Sequence, residues 1–433
     1  MFNWTRGVDG RLIGEVPFVS GLINGRGRYE HGPRTNLTTF NVVAGQQYRF
    51  RIVGGMMEKA FQLSVDGHSL SLVASDGFDI DPVEVDAIII HPGETYDVIL
   101  TANAVVPSPS TSSSRFWIRL QTLETSQPSL FHQGFGVINY VSADHPDANT
   151  ETASNADPAS SRQSCTKDQP CVYAGCPWLT FPLASHIRCL HTTDLHIRDK
   201  SDKPPTGEFR EKFLNFVFGP LGVNRRSFRL PDRPLLTQFN EGGYIPCNDR
   251  ECDVDSCNCT HFMKAAFNET LQLVLTNVGP RAYAMHPIHL HAHSFWVLGM
   301  GFPETDPVTG RELNQTSDIE CEQGTECARA HWATGFTPKL NLVDPPRKDT
   351  VVVPPGGYVV IRVVTDNPGW WHMHCHMAQH LYFGLGMILN VAQDKLSKIP
   401  IPAGFPRCGS FSMPLESVVE NHNLWQEMVK GQL

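Results

Sequence analysis

Two short histidine-rich segments, residues 286–293 and 372–380, carry the residue types in this sequence that are best suited to chemistry. Each segment contains two histidines that are two residues apart: His289 and His291 in the first, His374 and His376 in the second. Since side chains two residues apart project to the same side of a β-strand, each pair offers two imidazoles to one space. Imidazole clusters suit copper, so paired strands with these motifs predict a four-imidazole copper cluster.

Cys375 lies between His374 and His376, so on a strand its thiol points away from their imidazoles. One cysteine with two histidines is the ligand set of a blue-copper centre. The sequence therefore predicts a second copper site, with a thiolate ligand, on the other face of the same strands. Ordinary core histidines or a loose surface metal patch would explain any single one of these residues, but not two compact motifs of this kind.

The composition excludes several classes of function. The 433 residues are 41% hydrophobic and 18% charged, which is typical of a globular chain. There are 35 Lys and Arg against 44 Asp and Glu, and no basic stripe suits a phosphate backbone, so nucleic acid is not an expected partner. No apolar run approaches the roughly 20 residues that span a bilayer, and the run of residues 87–90 is far shorter. We expect a soluble protein without a transmembrane segment.

Short strands separated by turns dominate the sequence. Apolar and basic residues alternate over residues 48–52, which is the period of a half-buried strand, and helical periodicity is weak. This pattern predicts an all-β fold of sandwiches or barrels. A polar, cysteine-bearing connection over residues 143–204 divides the chain, so we predict one β domain over residues 1–142 and another over residues 205–433.

The two predicted domains resemble each other in three segments that keep the same order: residues 66–70 with 291–295, 88–94 with 351–357, and 134–138 with 384–388. In this alignment the metal motifs have no His or Cys counterparts in the first domain, which is therefore predicted to hold no copper. His293 aligns with His68 and is expected to be structural, and His91 aligns with Pro354 and is expected to be a turn residue. His372 remains a candidate for a supporting role beside the ligands.

Eleven cysteines other than Cys375 lie in loop-forming stretches: Cys165, Cys171, Cys176, Cys189, Cys247, Cys252, Cys257, Cys259, Cys321, Cys327 and Cys408. Such a set predicts disulfides formed in an oxidising compartment. Zinc at Cys252, Cys257 and Cys259 is the alternative, but no second matched pair of ligands accompanies them. Glycosylation sequons begin at Asn3, Asn36, Asn268 and Asn314. These features favour a secreted glycoprotein.

The two metal motifs resemble those of the multicopper oxidase family, in particular laccases and their animal laccase-like relatives. The resemblance rests on His-Pro-Ile-His-Leu-His-Ala-His at residues 286–293 and on Asn-Pro-Gly-Trp-Trp-His-Met-His-Cys-His at residues 367–376. Residues 22–28 are similar to the entry of the family's second domain. The resemblance implies two cupredoxin-like domains, each a Greek-key β-barrel or sandwich, that correspond to the second and third domains of the family.

The resemblance also implies a set of copper ligands. The mononuclear type 1 copper would take His286, Cys375 and His380, the type 2 copper would take His289, and the type 3 pair would take His291, His374 and His376. Leu385 stands at the axial position, where some relatives carry methionine, and would leave the type 1 copper three-coordinate because it cannot ligate. His380 would receive the substrate's electron, and Cys375 would pass it towards the cluster.

The activity implied by the resemblance is one-electron oxidation of phenols or aromatic amines, coupled to reduction of dioxygen to water. Ferrous iron and ascorbate are alternative reductants within the family. A copper-binding or electron-transfer module without oxidase activity is an alternative from another functional class.

Part of the family pattern has no counterpart in this sequence. The family's first domain carries further His-x-His motifs, and we expect such an N-terminal domain to complete the trinuclear cluster. Residues 1–18 lack the apolar core and cleavage site of a signal peptide. We interpret the chain as an N-terminally truncated piece of a secreted protein whose leader preceded the first domain. A complete but truncated isoform is the alternative.

Overall fold

A computed structural model gives the architecture of the chain. It describes residues 4–6, 12–14, 20–29, 32–33, 35–104, 115–123, 133–144, 157–158, 164–176, 181–217, 222–239, 242–280, 282, 284–322, 326–396, 398, 400, 402 and 404–405. Over these residues the regular secondary structure is mostly short β-strands, with four short α-helices. No helix among them is long and apolar enough to cross a membrane. The all-β class predicted from the alternating pattern is confirmed.

The first β-sandwich packs a seven-stranded sheet against a four-stranded one. The first strands in chain order are β1 (Trp4–Arg6), β2 (Leu12–Gly14), β3 (Thr39–Val43), β4 (Gln47–Val53), β5 (Phe61–Val65), β6 (Leu70–Ser75), β7 (Phe78–Val85), β8 (Ala87–Ile90), β9 (Thr95–Thr101), β10 (Arg115–Thr122), β11 (Gln133–Val141), β12 (Cys171–Ala174) and β13 (Ile187–Leu190). Alternate apolar residues, such as Leu70 and Leu72 on β6, fill the space between the two sheets. Two strands from the predicted connection extend the larger sheet: β12 pairs with β8, and β13 pairs with β12.

The second β-sandwich packs an eight-stranded sheet against a five-stranded one. Its strands are β14 (Arg210–Val217), β15 (Gly222–Val223), β16 (Arg226–Phe228), β17 (Cys257–Cys259), β18 (Phe262–Ala265), β19 (Thr270–Asn277), β20 (His286–Leu290), β21 (Phe295–Gly301), β26 (Arg347–Lys348), β27 (Thr350–Val353), β28 (Gly357–Val364), β29 (Gly369–Cys375) and β30 (Gly386–Val391). Two small hairpins lie between β21 and β26: β22 (Glu304–Thr305) with β23 (Glu312–Asn314), and β24 (Ile319–Cys321) with β25 (Ala330–Trp332).

Helices are short and peripheral to these sheets. They are α1 (Leu235–Gln238), α2 (Asp249–Val254), α3 (Ala378–Tyr382) and α4 (Gln393–Leu396), with single 3-10 turns at Leu183–Ser185 and Thr192–Asp194. Of these, α3 matters most for the site because it follows β29 directly and contains His380.

The five-stranded sheet has the order β18, β30, β29, β20, β27. The two strands that carry the metal motifs, β20 and β29, are therefore neighbours near its centre. They pair antiparallel, with Ile288 opposite Cys375 and His289 opposite His374. Segments that are some eighty residues apart in sequence thus place their side chains on the same two faces of one sheet.

A fully buried lysine joins the two sandwiches. Lys348 on β26 reaches into the first sandwich, where its Nζ lies 3.1 Å from Asp76, 3.5 Å from Glu94 and 2.6 Å from the Ser75 hydroxyl. Burial alone would lower the pKa of Lys348, but the two carboxylates outweigh it and raise that pKa. The lysine is therefore charged, and it compensates acidic groups that could not be buried alone.

Replacing Lys348 with methionine tests this interface. We expect Lys348→Met to lose about 3–5 kcal/mol of unfolding free energy, because Asp76 and Glu94 would stay buried without their cation. Burial raises the pKa of Asp76. Without the lysine, the fold tolerates Asp76 in its protonated form. The loss of unfolding free energy in Lys348→Met should therefore grow as pH rises.

Urea denaturation of both proteins at about pH 5 and about pH 8 measures this deficit. Lys200→Met is the control, since Lys200 is half-exposed and pairs with Asp81 and Asp344 at the surface. A loss in the control as large as in Lys348→Met would contradict the role given to the buried cluster.

Candidate metal centre

The strand pair β20 and β29 presents different chemistry on its two faces. Ile288, Leu290, Met373 and Cys375 alternate onto the face that packs in the hydrophobic core. His289 and the imidazoles at positions 291, 372 and 374 alternate onto the opposite face. The separation of a thiol site from an imidazole site, predicted from the spacing, is therefore present in the fold.

Three potential ligands converge on the core face. His286 lies at the start of β20, Cys375 at the end of β29, and His380 in α3. The Cys375 Sγ lies 3.4 Å from His380 Nδ1 and 3.7 Å from His286 Nδ1, and the two Nδ1 atoms are 3.2 Å apart. All three residues are buried. A sulfur and two imidazole nitrogens at these spacings fit a single ion of the blue-copper type.

Leu385 lies beside two of the same three residues in the hydrophobic core. It is fully buried in the core cluster that contains Cys375. Its carbonyl accepts the Cys375 N–H at 3.0 Å, and its own N–H donates to the His380 carbonyl at 3.0 Å. Leu385 thus ties two of the three ligands together through its backbone, while its side chain offers no donor atom.

Burial sets the protonation of this core-face site. It lowers the pKa of His380 to about 4, and burial together with the neighbouring His380 lowers the pKa of His286. Burial raises the pKa of the Cys375 thiol. At neutral pH the metal-free site therefore holds two neutral imidazoles and one protonated thiol.

The opposite face carries a patch of five imidazoles, which we call the imidazole patch: His289, His291, His372, His374 and His376. Within it, the Nε2 atoms of His291 and His374 are 3.0 Å apart, so these two rings can share one ion. The ring of His376 lies 5.9 Å from that of His289 and 5.7 Å from that of His374. The predicted cluster residues are thus brought together on one side of the sheet.

Hydrogen bonds to the backbone orient two of these rings. His289 Nδ1 donates to the Asp349 carbonyl at 3.0 Å, and His374 Nδ1 donates to the Cys375 carbonyl at 2.9 Å. Each bond fixes a tautomer in which Nε2 carries a lone pair for a metal. Burial, followed by neighbouring imidazoles, lowers the pKa of His374 to about 3 and that of His372 to about 4, which keeps both rings neutral.

The first sandwich supplies none of these side chains but contacts the elements that carry them. Gly93 has a φ of +85°, and a Cβ at that position would lie 2.6 Å from the His376 ring, so a side chain there would displace His376. At the start of α3, Met57 accepts the Ala378 N–H at 2.8 Å through its carbonyl, and the Glu58 carboxylate accepts the Gln379 N–H. These contacts position His376 and His380 from outside their own domain.

Other histidines have roles close to those expected. His293 Nδ1 donates to the His291 carbonyl at 3.2 Å, and its ring lies beside Trp371. His68 bonds Tyr140 and the Asp66 carbonyl inside the first sandwich. His91 precedes a turn and pairs with Glu94. His372 was a candidate only for a supporting role, whereas its ring lies within the imidazole patch itself.

The cysteines form disulfides, as the sequence predicted. The pairs are Cys165–Cys171, Cys176–Cys189, Cys247–Cys259, Cys252–Cys257 and Cys321–Cys327. The zinc alternative is therefore wrong, because Cys252, Cys257 and Cys259 are all oxidised. Cys375 is the one cysteine of the described residues outside a disulfide, and Cys408 and the sequon at Asn3 lie outside those residues.

Several residues that support the site were not found from the sequence. Asp349, Gly93 and Glu58 act through backbone or packing contacts with residues that are distant in the chain. No spacing rule predicts such contacts, because they form only when segments that are distant in the chain are folded together.

Comparison with known proteins supports the same chemistry. Two family models, both described as multicopper oxidase, match residues 10–143 and 225–395. Laccase-1 of Botryotinia fuckeliana is 30% identical over 386 residues, covering 88% of this chain and 55% of the laccase. An L-ascorbate oxidase of Brassica rapa subsp. pekinensis is 26% identical over 438 residues, covering 90% of this chain and 65% of that enzyme.

A solved structure agrees in fold. Fet3p, described as a multicopper oxidase that functions in iron import, superposes with a TM-score of 0.56 at 19% identity, covering 84% of this chain and 60% of that one. The chain thus spans 55% to 65% of the length of the two curated relatives named above. Its match to them includes both sandwiches.

The protonation of the core-face site predicts proton release on metal binding. At pH 7 the thiol of Cys375 must lose its proton to ligate, whereas the imidazoles of His286 and His380 are already neutral. We expect binding of redox-inert Zn²⁺ to this site to release about one proton, with affinity rising about tenfold per pH unit between about pH 5 and 8.

Calorimetric titration in two buffers of different protonation enthalpy measures the release. Cys375→Ser is the control, because it keeps the imidazole patch and removes the thiol. Equal proton release from both proteins would show that Cys375 does not ligate the ion.

Proposed function

Since the chain belongs to the multicopper oxidase family, we propose that it is a laccase-like copper oxidoreductase, which oxidises phenols or aromatic amines by one electron and reduces dioxygen to water. One observation carries this proposal. Cys375 lies on the core face beside His286 and His380, while its chain neighbours His374 and His376 lie in the imidazole patch on the other face. A one-electron site and a multi-imidazole site are thus joined directly through the chain, by one peptide bond on each side of Cys375.

The residues divide between the coppers as the family resemblance implies. His286, Cys375 and His380 would hold the type 1 copper, His289 the type 2 copper, and His291, His374 and His376 the type 3 pair. When bound, copper would supply the one-electron redox chemistry at the first site and the reduction of dioxygen at the second. The short contact between His291 Nε2 and His374 Nε2 supports placing these two rings on the same ion.

This chain's own residues would do three things for that chemistry. The Cys375 thiolate and the His286 and His380 imidazoles bind one ion in a dry pocket, which Leu385 shields without ligating. The peptides on either side of Cys375, together with the bond from His374 Nδ1 to the Cys375 carbonyl, connect the two faces by a short path. The Asp349 carbonyl holds the tautomer of His289.

We place the reductant at the surface next to α3. His380 is 7% exposed, and it is followed by Tyr382 and Phe383, which are 84% and 48% exposed. Exposed aromatic rings beside the ligand favour a planar, aromatic electron donor. Ferrous iron and ascorbate are the alternative reductants, because Fet3p functions in iron import and another similar protein is an L-ascorbate oxidase.

A copper-binding or electron-transfer module is the second candidate function. It is favoured by the exposure of His291 and by the position of the imidazole patch on one side of one sheet. A site of this kind needs further ligands to enclose several ions. We propose that a further cupredoxin domain with its own His-x-His pairs supplies them. The five disulfides support secretion of the protein.

Cys375→Ser tests the core of the proposal. In the copper-loaded protein we expect this variant to lose the intense visible absorption of a copper–thiolate centre and about one bound copper per chain, because serine is a poor copper ligand. Met373→Leu is the matched control, since Met373 is buried in the same core cluster as Cys375 but is assigned no ligand role. Persistence of the absorption in Cys375→Ser would refute the assignment.

Oxygen consumption separates the two candidate functions. With a phenolic reductant we expect negligible turnover by the copper-loaded chain alone, because the imidazole patch would be open to water on one side. Adding a domain that carries His-x-His pairs should restore turnover. Robust turnover by the chain alone would instead mean that its cluster is completed in another way, for example between two copies.

A further inference from the structure

A fifth histidine lies in the imidazole patch, and the ligand set implied by the family resemblance assigns it no copper. His372 is on β29, two residues before His374, so both rings project from the same face. Its neighbour on β20 is His291, whose N–H donates to the His372 carbonyl at 3.0 Å. Directly opposed residues in a sheet have their side chains in contact. His372 is thus flanked by two of the residues assigned to the type 3 pair.

The donor atoms of these three residues form a compact group. One imidazole nitrogen from each of His291, His372 and His374 lies within 4.8 Å of the other two. The ring of His372 is 4.5 Å from that of His374 and 5.9 Å from that of His291. Imidazole nitrogens bind first-row metals at roughly 2.0–2.1 Å, so small ring rotations suffice to place all three around one ion.

The surroundings of His372 hold its ring in this position. The Phe228 ring packs against it at 5.0 Å, and Gly386 leaves space for it, since a Cβ there would lie 2.9 Å from His372 Nε2. Within the described residues, His372 Nε2 is buried and has no hydrogen-bond partner. A buried polar atom without a partner costs folding free energy, and a ligand that binds the ring at that atom would reduce this cost.

We propose that His372 is a third protein ligand to the ion shared by His291 and His374. This chain would then hold two ions on its own residues, one at the Cys375 site and one at a three-imidazole site. The inference rests on the proposed function, because it takes the metal to be copper. Three neutral nitrogen donors suit Cu²⁺.

The test is titration of the metal-free chain with Cu²⁺. Chelator competition gives the dissociation constant of each ion, and pulsed electron paramagnetic resonance counts the nitrogens coupled to the ion that lacks a thiolate. We expect three coupled nitrogens in the wild type and two in His372→Phe. Phenylalanine keeps a ring against Phe228 but cannot ligate, so the dissociation constant of that ion should rise by about tenfold to a hundredfold.

Two further variants make the result decisive. His372→Gln removes the imidazole without enlarging the apolar contact, and it should behave like His372→Phe if the latter does not fold. His293→Phe is the matched control, because it removes a buried imidazole that bonds the His291 carbonyl but lies outside the three-donor group. We expect it to retain three coupled nitrogens.

The outcomes distinguish this inference from the proposed function. Two coupled nitrogens in the wild type, or an unchanged dissociation constant in both His372 variants, would overturn the role of His372. The visible absorption of the Cys375 site should be the same in every His372 variant. Absence of that absorption from the wild type would refute the proposed function instead, whatever the nitrogen count.

Discussion

The register between β20 and β29 is the constraint on which both candidate sites depend. A β-strand sends alternate side chains to opposite faces, and this pair uses both: a thiol and His286 on the core side, imidazoles on the other. A slip of one residue would exchange the faces, burying imidazoles in the core and exposing Cys375. The buried apolar partners Ile288, Leu290 and Met373 oppose such a slip. The hydrophobic core thereby enforces the geometry of the metal sites.

The metal sites also depend on contacts between the two sandwiches. Asp76 of the first sandwich binds Lys348 and accepts the N–H groups of Asp349 and Thr350 at 3.2 and 3.1 Å. Asp349 in turn accepts from His289 through its carbonyl. A domain that contributes no ligand therefore orients one, and its Gly93 sets the space for His376. A domain without predicted copper ligands thus still contributes to the geometry of the metal sites.

Burial also prepares the protonation states that metal binding requires. It lowers the pKa values of His286 and His380, so these ligands are neutral before an ion arrives. The same burial raises the pKa of Cys375, so thiolate formation has to be driven by the metal. A pocket that is dry enough to protect the thiolate is thus one in which the metal-free cysteine is unreactive.

Local pattern determined much of this protein. Alternation predicted the β class, and the spacing of His289, His291, His374 and Cys375 predicted two faces with different donors, because the period of a strand is a local property. The position of His372 in the imidazole patch, the contact of Gly93 with His376 and the pairing of Lys348 with Asp76 were decided only by tertiary structure. They depend on which strands become neighbours and on how two sandwiches meet, and those distances are not encoded in any local spacing.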